Sequence, residues 1–143
     1  MKVALLVNPR AGLGGAVGLK GSDGPEVQTE AIARRGQARG ASRVAIFLQY
    51  LCAPGGDGAD SFLAPSAQPI TWVTWGAGMG ADSLRTLGFD YVRLGTPGAP
   101  TTAQDTIDAV HAFIDYNVDL IVFAGGDGTA RDVLSAVSGT VSC

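Results

Sequence analysis

The stretch Leu120-Ile121-Val122-Phe123-Ala124-Gly125-Gly126-Asp127-Gly128-Thr129 governs how the rest of the chain is read. Four large apolar residues in a row, Leu120 to Phe123, suit a strand within a parallel sheet, where both faces are covered. The three glycines and one aspartate behind them make a tight turn. Arg131 to Val137 then begins a helix. A turn between a buried strand and a helix offers backbone N–H groups and the positive end of a helix dipole to an anion. Val3 to Val7 repeats the pattern at the start of the chain: a continuous apolar run ends at Asn8-Pro9, and a glycine-rich loop extends to about Gly24.

Between these two runs the elements alternate. Pro25, after Ser22-Asp23-Gly24, is placed to open a helix, and Glu26 and Glu30 suit its N-terminal end. Val44, Phe47, Leu48 and Leu51 recur at helical spacing, which predicts a second helix. Ala53 to Pro69, rich in proline and glycine, reads as loop. Ile70 to Trp75 is aromatic and β-branched and predicts a strand. Gly76 to Gly80 predicts a turn, Ala81 to Leu87 a short helix, and Phe89 to Leu94 a third strand. Thr101 with Gln104 has capping-box spacing, and Ile107, Val110, His111 and Ile114 set one face of the helix behind it. Asp119 to Ala124 is the fourth strand, as apolar as the first. Strands alternating with helices mean a doubly wound, mostly parallel α/β sheet. Ligands of such sheets bind at the carboxyl ends of the strands, near the switch point. The turns after the first and fourth apolar strands are therefore expected to open on one rim and form one site.

The chain has 143 residues, which is one domain, 1–143. Hydrophobic residues make up 46% and charged residues 16%, which excludes wholesale disorder. The formal charge of −3 argues against nucleic acid and anionic membrane as partners, since both need a basic field. Glycine is over-used, at 21 residues, as suits a backbone that must come close to a ligand. Cys52 and Cys143 have neither disulfide nor metal-ligand spacing, and no signal or membrane span is visible, so a reduced, cytoplasmic protein is expected.

Asn8-Pro9-Arg10-Ala11-Gly12-Leu13-Gly14-Gly15 matches neither the P-loop nor the dinucleotide fingerprint. Its glycines expose backbone donors that suit a phosphate, with Arg10 and Lys20 as cationic support; an ordinary long loop is the competing reading. Asp127 would be a carboxylate held beside that phosphate, either to hold a metal ion or to take a proton, whereas its bland alternative is a turn aspartate bonding its own backbone. Thr129 in the same turn would simply N-cap the following helix. Gly55 to Gly58 repeats the GGDG string with no buried strand before it, so that match is chance. His111 reads as packed or ion-paired, Trp72 and Trp75 as opposite faces of one strand, and Arg34, Arg35, Arg39 and Arg43 as a solvated helix face.

LIVFAGGDGTARD, Leu120 to Asp132, resembles the GGDGT motif of the NAD kinase family, part of the superfamily that includes diacylglycerol kinases, sphingosine kinases and 6-phosphofructokinases. Asn8 to Gly15, Val17 to Gly24 and Thr101-Thr102-Ala103-Gln104-Asp105-Thr106 resemble its ATP-NAD kinase-like subgroup in bacteria and archaea. The similarity runs in order along almost the whole chain. It implies a Rossmann-like N-terminal domain and transfer of a phosphoryl group from ATP or polyphosphate to a ribose hydroxyl of NAD, with Mg²⁺. The implied phosphate and nucleotide contacts are Asn8, Pro9, Gly12, Gly14, Gly15, Gly125, Gly126, Gly128 and Thr129, with Arg131 pairing to phosphate or simply solvated. Asp127 would activate the hydroxyl or organise the metal.

Family members carry a second, largely β domain behind the GGDGT helix, and this sequence stops at Cys143. The expectation is a domain that binds NAD or another nucleotide weakly and turns nothing over alone, with apolar surface that favours self-association. Two alternatives stand beside it: a non-catalytic nucleotide-binding or scaffold domain, and a fragment of a lipid or sugar kinase of the same superfamily.

Overall fold

The computed structural model describes residues 1–10, 40–51 and 69–140. The first predicted helix, opened by Pro25, and the loops around Gly12, Gly55 and both cysteines lie outside the described residues.

Among the described residues four parallel strands form one sheet in the order β3-β2-β1-β4. They are β1 (Lys2–Val7), β2 (Thr71–Thr74), β3 (Tyr91–Arg93) and β4 (Leu120–Ala124). Residues 40–51 are helical (α1), followed along the chain by α2 (Ala81–Thr86), α3 (Ala103–Asp115) and α4 (Asp127–Thr140). The strands predicted over 70–75 and 89–94 are shorter at both ends than expected.

β1 is central and its interior is almost inaccessible, from 0% to 3% across Val3 to Val7. Its side chains alternate between two cores. Val3, Leu5 and Val7 join Val44 and Leu48 of α1, Leu84 of α2, and Trp72. Ala4 and Leu6 join Val73 and Trp75 with Ala109, Val110 and Phe113 of α3 and Val133 and Ala136 of α4. The result is a three-layer α/β/α arrangement, with each fully buried Val or Leu contributing about 1.5–3 kcal/mol. Trp72 and Trp75 do lie on opposite faces, and Trp72 packs edge-on to Phe89 with ring centroids 6.1 Å apart.

The segment 76–80 is a structural turn. Its Ala77–Met79 portion is a single 3₁₀ turn, and Gly80 adopts φ 141°, where a Cβ would meet the Thr74 hydroxyl and the Leu5 carbonyl. Only glycine fits there. Thr74 is itself buried and donates to the Leu5 carbonyl oxygen at 2.8 Å, tying β2 to β1.

Three expectations need correction. The capping box of α3 is Thr102 with Asp105, one residue beyond the Thr101–Gln104 pair. The Asp105 carboxylate accepts from the Thr102 N–H at 2.8 Å and also from the Gly98 N–H at 2.8 Å, a second partner that favours this register. The buried face of α3 is Thr106, Ala109, Val110 and Phe113, while Ile107, His111 and Ile114 flank it half-buried. The helix is rotated because Phe113, the largest apolar residue of the run, takes the centre. The helix ends where Asn117 adopts a left-handed φ of 56° and the Val118 N–H returns to the Phe113 carbonyl. Finally, β4 is as apolar as β1 but not as buried. Leu120 is 50% and Phe123 39% exposed, because β4 lies at the rim of the described sheet and pairs only with β1 there.

Among the described residues no helix is long and apolar enough to cross a membrane.

Candidate phosphate site at the switch point

The chain steps from β1 to β2 to β3 in one direction, then crosses to the far side of β1 to form β4. The connections leaving β1 and β4 therefore diverge, with α1 on one face of the sheet and α4 on the other. A crevice at the carboxyl ends of these two strands is the geometric consequence.

Asn8 closes the floor of that crevice. Its N–H donates to the Ala124 carbonyl at 2.8 Å, carrying the β1–β4 ladder one step into the turns. The Asn8 Oδ1 accepts from the Arg10 N–H at 2.9 Å. That N–H is donor only, so the amide orientation follows, and Nδ2 is left to donate to Thr129 Oγ1 at 2.7 Å. Two turns 121 residues apart are thereby joined through side chains.

Thr129 is 3% exposed and sits inside α4, not ahead of it. The helical bond from the Ala130 N–H to the Gly126 carbonyl makes Gly126 the last residue before the helix. The expected N-cap role of Thr129 is thus replaced by a tertiary one. The N–H groups of Asp127, Gly128 and Thr129 form the first turn of α4, where no helical acceptor exists. Gly125 has a packing reason to be glycine: an added Cβ would strike the Thr129 side chain. Among the described residues Gly126 and Gly128 have none, since a Cβ there would meet nothing within 4 Å.

A cleft of about 360 Å³ opens above these groups. The turns contribute Asn8, Arg10, Gly126, Gly128 and Thr129 to its lining. Two further contributors were not read from the sequence. One is the N-terminus of α3, through Thr101, Thr102 and Ala103; the other is Asp132, one turn into α4. The signal for the first was present, because every helix that follows a strand in a parallel sheet begins at the carboxyl rim. The cleft thus gathers the N-terminal ends of α3 and α4, both more than three turns long, and the Arg10 guanidinium. Arg10 Nη1 donates to the Thr101 carbonyl at 3.4 Å, spanning from the β1 turn to the α3 turn. Such a set of donors and partial positive charges is suited to an anion.

The α3 turn is held by Asp105. Hydrogen bonds from the Gly98 N–H, then from the Thr102 N–H and hydroxyl, hold its carboxyl below the ordinary carboxylate value of 3.8. A depressed folded-state value means stability that is full above the unfolded value and is lost as pH falls through the folded one. Asp105→Asn is therefore expected to be less stable than the wild type at pH 7, with the difference shrinking below about pH 4. Urea unfolding at pH 7 and pH 3 checks this; an unchanged gap at pH 3 would contradict it.

Other expected site residues fall elsewhere. Asp127, the first residue of α4, is exposed and is not part of the cleft lining; Arg131 is likewise exposed on α4. Pro9 is buried and lines, with Asn8, Gly78 and Asp82, a second cavity of about 280 Å³ on the α1–α2 face of the sheet. Gly12, Gly14, Gly15 and Lys20 lie outside the described residues.

The family model for the ATP-NAD kinase N-terminal domain matches residues 3–141. The chain belongs to the ATP-NAD kinase N-terminal domain family. The match spans every element of the sheet and both turns of the crevice. It supports NAD kinase-like function and a nucleotide as substrate at that coarse level. No curated protein and no solved structure matches this ATP-NAD kinase N-terminal domain.

The Mg²⁺ implied for the family can be set against the residues present. Among the described residues no group of three or more His, Cys, Asp or Glu side chains comes together to hold a metal. Magnesium is commonly bound by one or two carboxylates together with water and substrate phosphates. The cleft lining offers one carboxylate, Asp132, and no cluster, which fits an ion carried mainly by substrate phosphates and water rather than one caged by the protein.

Proposed function

We propose that this domain grips a nucleotide by its phosphates in the cleft between the β1 and β4 turns, as the phosphate-binding part of an ATP- or polyphosphate-dependent NAD kinase. The observation that carries the reading is the Asn8–Thr129 hydrogen bond, which makes one wall of two turns. Donors fixed before the ligand arrives lose little freedom on binding. The amides at the start of α4, those at the start of α3, and Arg10 would share the phosphate charge. Gly126 and Gly128, free of steric constraint among the described residues, leave room for phosphate oxygens to approach the backbone. A magnesium ion, when bound, would neutralise phosphate charge. Asp127 would take the proton of an attacking ribose hydroxyl or hold that ion.

The exposure of Asp127 outside the cleft lining favours a second reading, a nucleotide-binding domain without chemistry of its own. Calorimetric titration of the purified domain with ATP, NAD and polyphosphate, with and without Mg²⁺, tests both. Binding of at least one ligand is expected, with about 2.7 kcal/mol of stabilisation at a hundred times the dissociation constant. Asp127→Asn removes the Mg²⁺-dependent part under the kinase reading and leaves it unchanged under the second. Failure of all three ligands to bind would refute the phosphate site.

A further inference from the structure

The phosphate reading leaves one group of the cleft unused. Asp132 lines the cleft beside Gly128 and Thr129 and is half-buried. Among the described residues no hydrogen bond reaches its carboxylate. It lies about one helical turn beyond Thr129 and shares the cleft with the N-terminus of α3. A carboxylate is an acceptor with a negative charge, so it cannot bond a phosphate oxygen and repels it. A group placed there is matched to a hydrogen-bond donor on the ligand.

Resting on the phosphate reading above, we propose that Asp132 is the hydroxyl-recognising group of the site, accepting a hydrogen bond from a ribose hydroxyl of the nucleotide whose phosphates sit on the α4 turn. The cleft lining then carries two chemically opposite kinds of group. The anion-binding groups are Arg10 and the helix N-termini around Thr102 and Gly128, and the acceptor is Asp132. Such polarity admits a phosphorylated polyol and disfavours bare phosphate or polyphosphate of the same charge, which gains nothing from Asp132. It also selects ribose over deoxyribose, since loss of the hydroxyl strands a half-buried carboxylate.

Calorimetry with ADP, 2′-deoxy-ADP, 3′-deoxy-ADP and pyrophosphate, on the wild type, Asp132→Ala and Asp132→Asn, tests the assignment. The wild type is expected to bind ADP roughly 10–100-fold more tightly than at least one deoxy analogue, the range for a hydrogen bond to a charged group. Asp132→Ala abolishes that preference and weakens ADP, while pyrophosphate binds as well as before or several-fold more tightly, because a repelling charge has gone. Asp132→Asn keeps part of the preference through its carbonyl oxygen. Equal discrimination by wild type and Asp132→Ala overturns the proposal. So does parallel weakening of ADP and pyrophosphate, which would mark a structural or cation-holding role. If Asp132→Ala does not fold, full wild-type discrimination by Asp132→Asn against its expected partial loss decides the matter. Wild-type binding of ADP without discrimination overturns this proposal alone. Absence of any wild-type binding overturns the phosphate reading and this one with it.

Discussion

Phe113→Ala is expected to cost about 3–5 kcal/mol of stability, the range for removing a buried phenylalanine ring. Phe113 is 0% exposed and lies in one core cluster with Ala4, Leu6, Val73 and the α4 residues Val133 and Ala136. It is the largest α3 side chain of the cluster that holds α3 to both the sheet and α4, beside Ala109 and Val110. Nothing small enough to fill the gap can move in from a parallel sheet without breaking the ladder, so the cavity stays open. A domain of this size has about 5–15 kcal/mol in total, so the variant sits near the edge of folding at 37 °C. Phe123→Ala provides the contrast. Phe123 is 39% exposed at the rim of β4, and its loss is expected to cost about 1 kcal/mol or less. Urea midpoints with unchanged slopes would measure both. Equal costs for the two phenylalanines would show that the burial described for α3 does not hold in solution.

The second large effect concerns function. Thr129→Val keeps the shape of a 3%-exposed side chain and removes its hydroxyl. The Asn8 amide then loses the acceptor it reaches at 2.7 Å. Leaving a partly buried donor unpaired is expected to cost about 1–3 kcal/mol of stability. The larger consequence is loss of alignment between the β1 and α4 turns. Nucleotide affinity is expected to fall at least ~10-fold, since misplacing preformed donors forfeits binding energy at each of them. Gly125→Ala should act in the same direction from the other side, because its Cβ would push the Thr129 side chain away from Asn8. Calorimetric titration beside thermal unfolding separates the two effects. Wild-type affinity in a folded Thr129→Val would sink the view that this bond organises the site.

Much of the architecture was legible along the chain. Val3 to Val7 and Leu120 to Ala124 announce strands because five apolar residues without a polar break suit no exposed element. The alternation of such runs with helical spacing implies a parallel sheet, and the glycine turns mark where backbone could meet a ligand. The capping pair of α3 was misread by one residue for a definite reason. Thr101–Gln104 and Thr102–Asp105 have the same spacing, and only the folded chain brings the Gly98 N–H to Asp105. The face of α3 was misread similarly, since Ile107 and Ile114 are as apolar as the residues that are buried and local periodicity does not say which stripe meets the sheet.

What lay within local sequence was the identity of elements and the chemistry of turns, because hydrogen bonding and apolar period act over a few residues. Position within the sheet was decided elsewhere. An apolar run reads the same at the centre and at the rim, so the 0–3% exposure inside β1 and the 50% at Leu120 of β4 separate only once the strand order is set. The meeting of Asn8 with Thr129, and the sharing of one cleft by Asp132 and the α3 turn, belong to the same class. Contacts between residues so far apart are made when the crossover from β3 to β4 lays one strand end beside another, and no spacing along the chain encodes that distance.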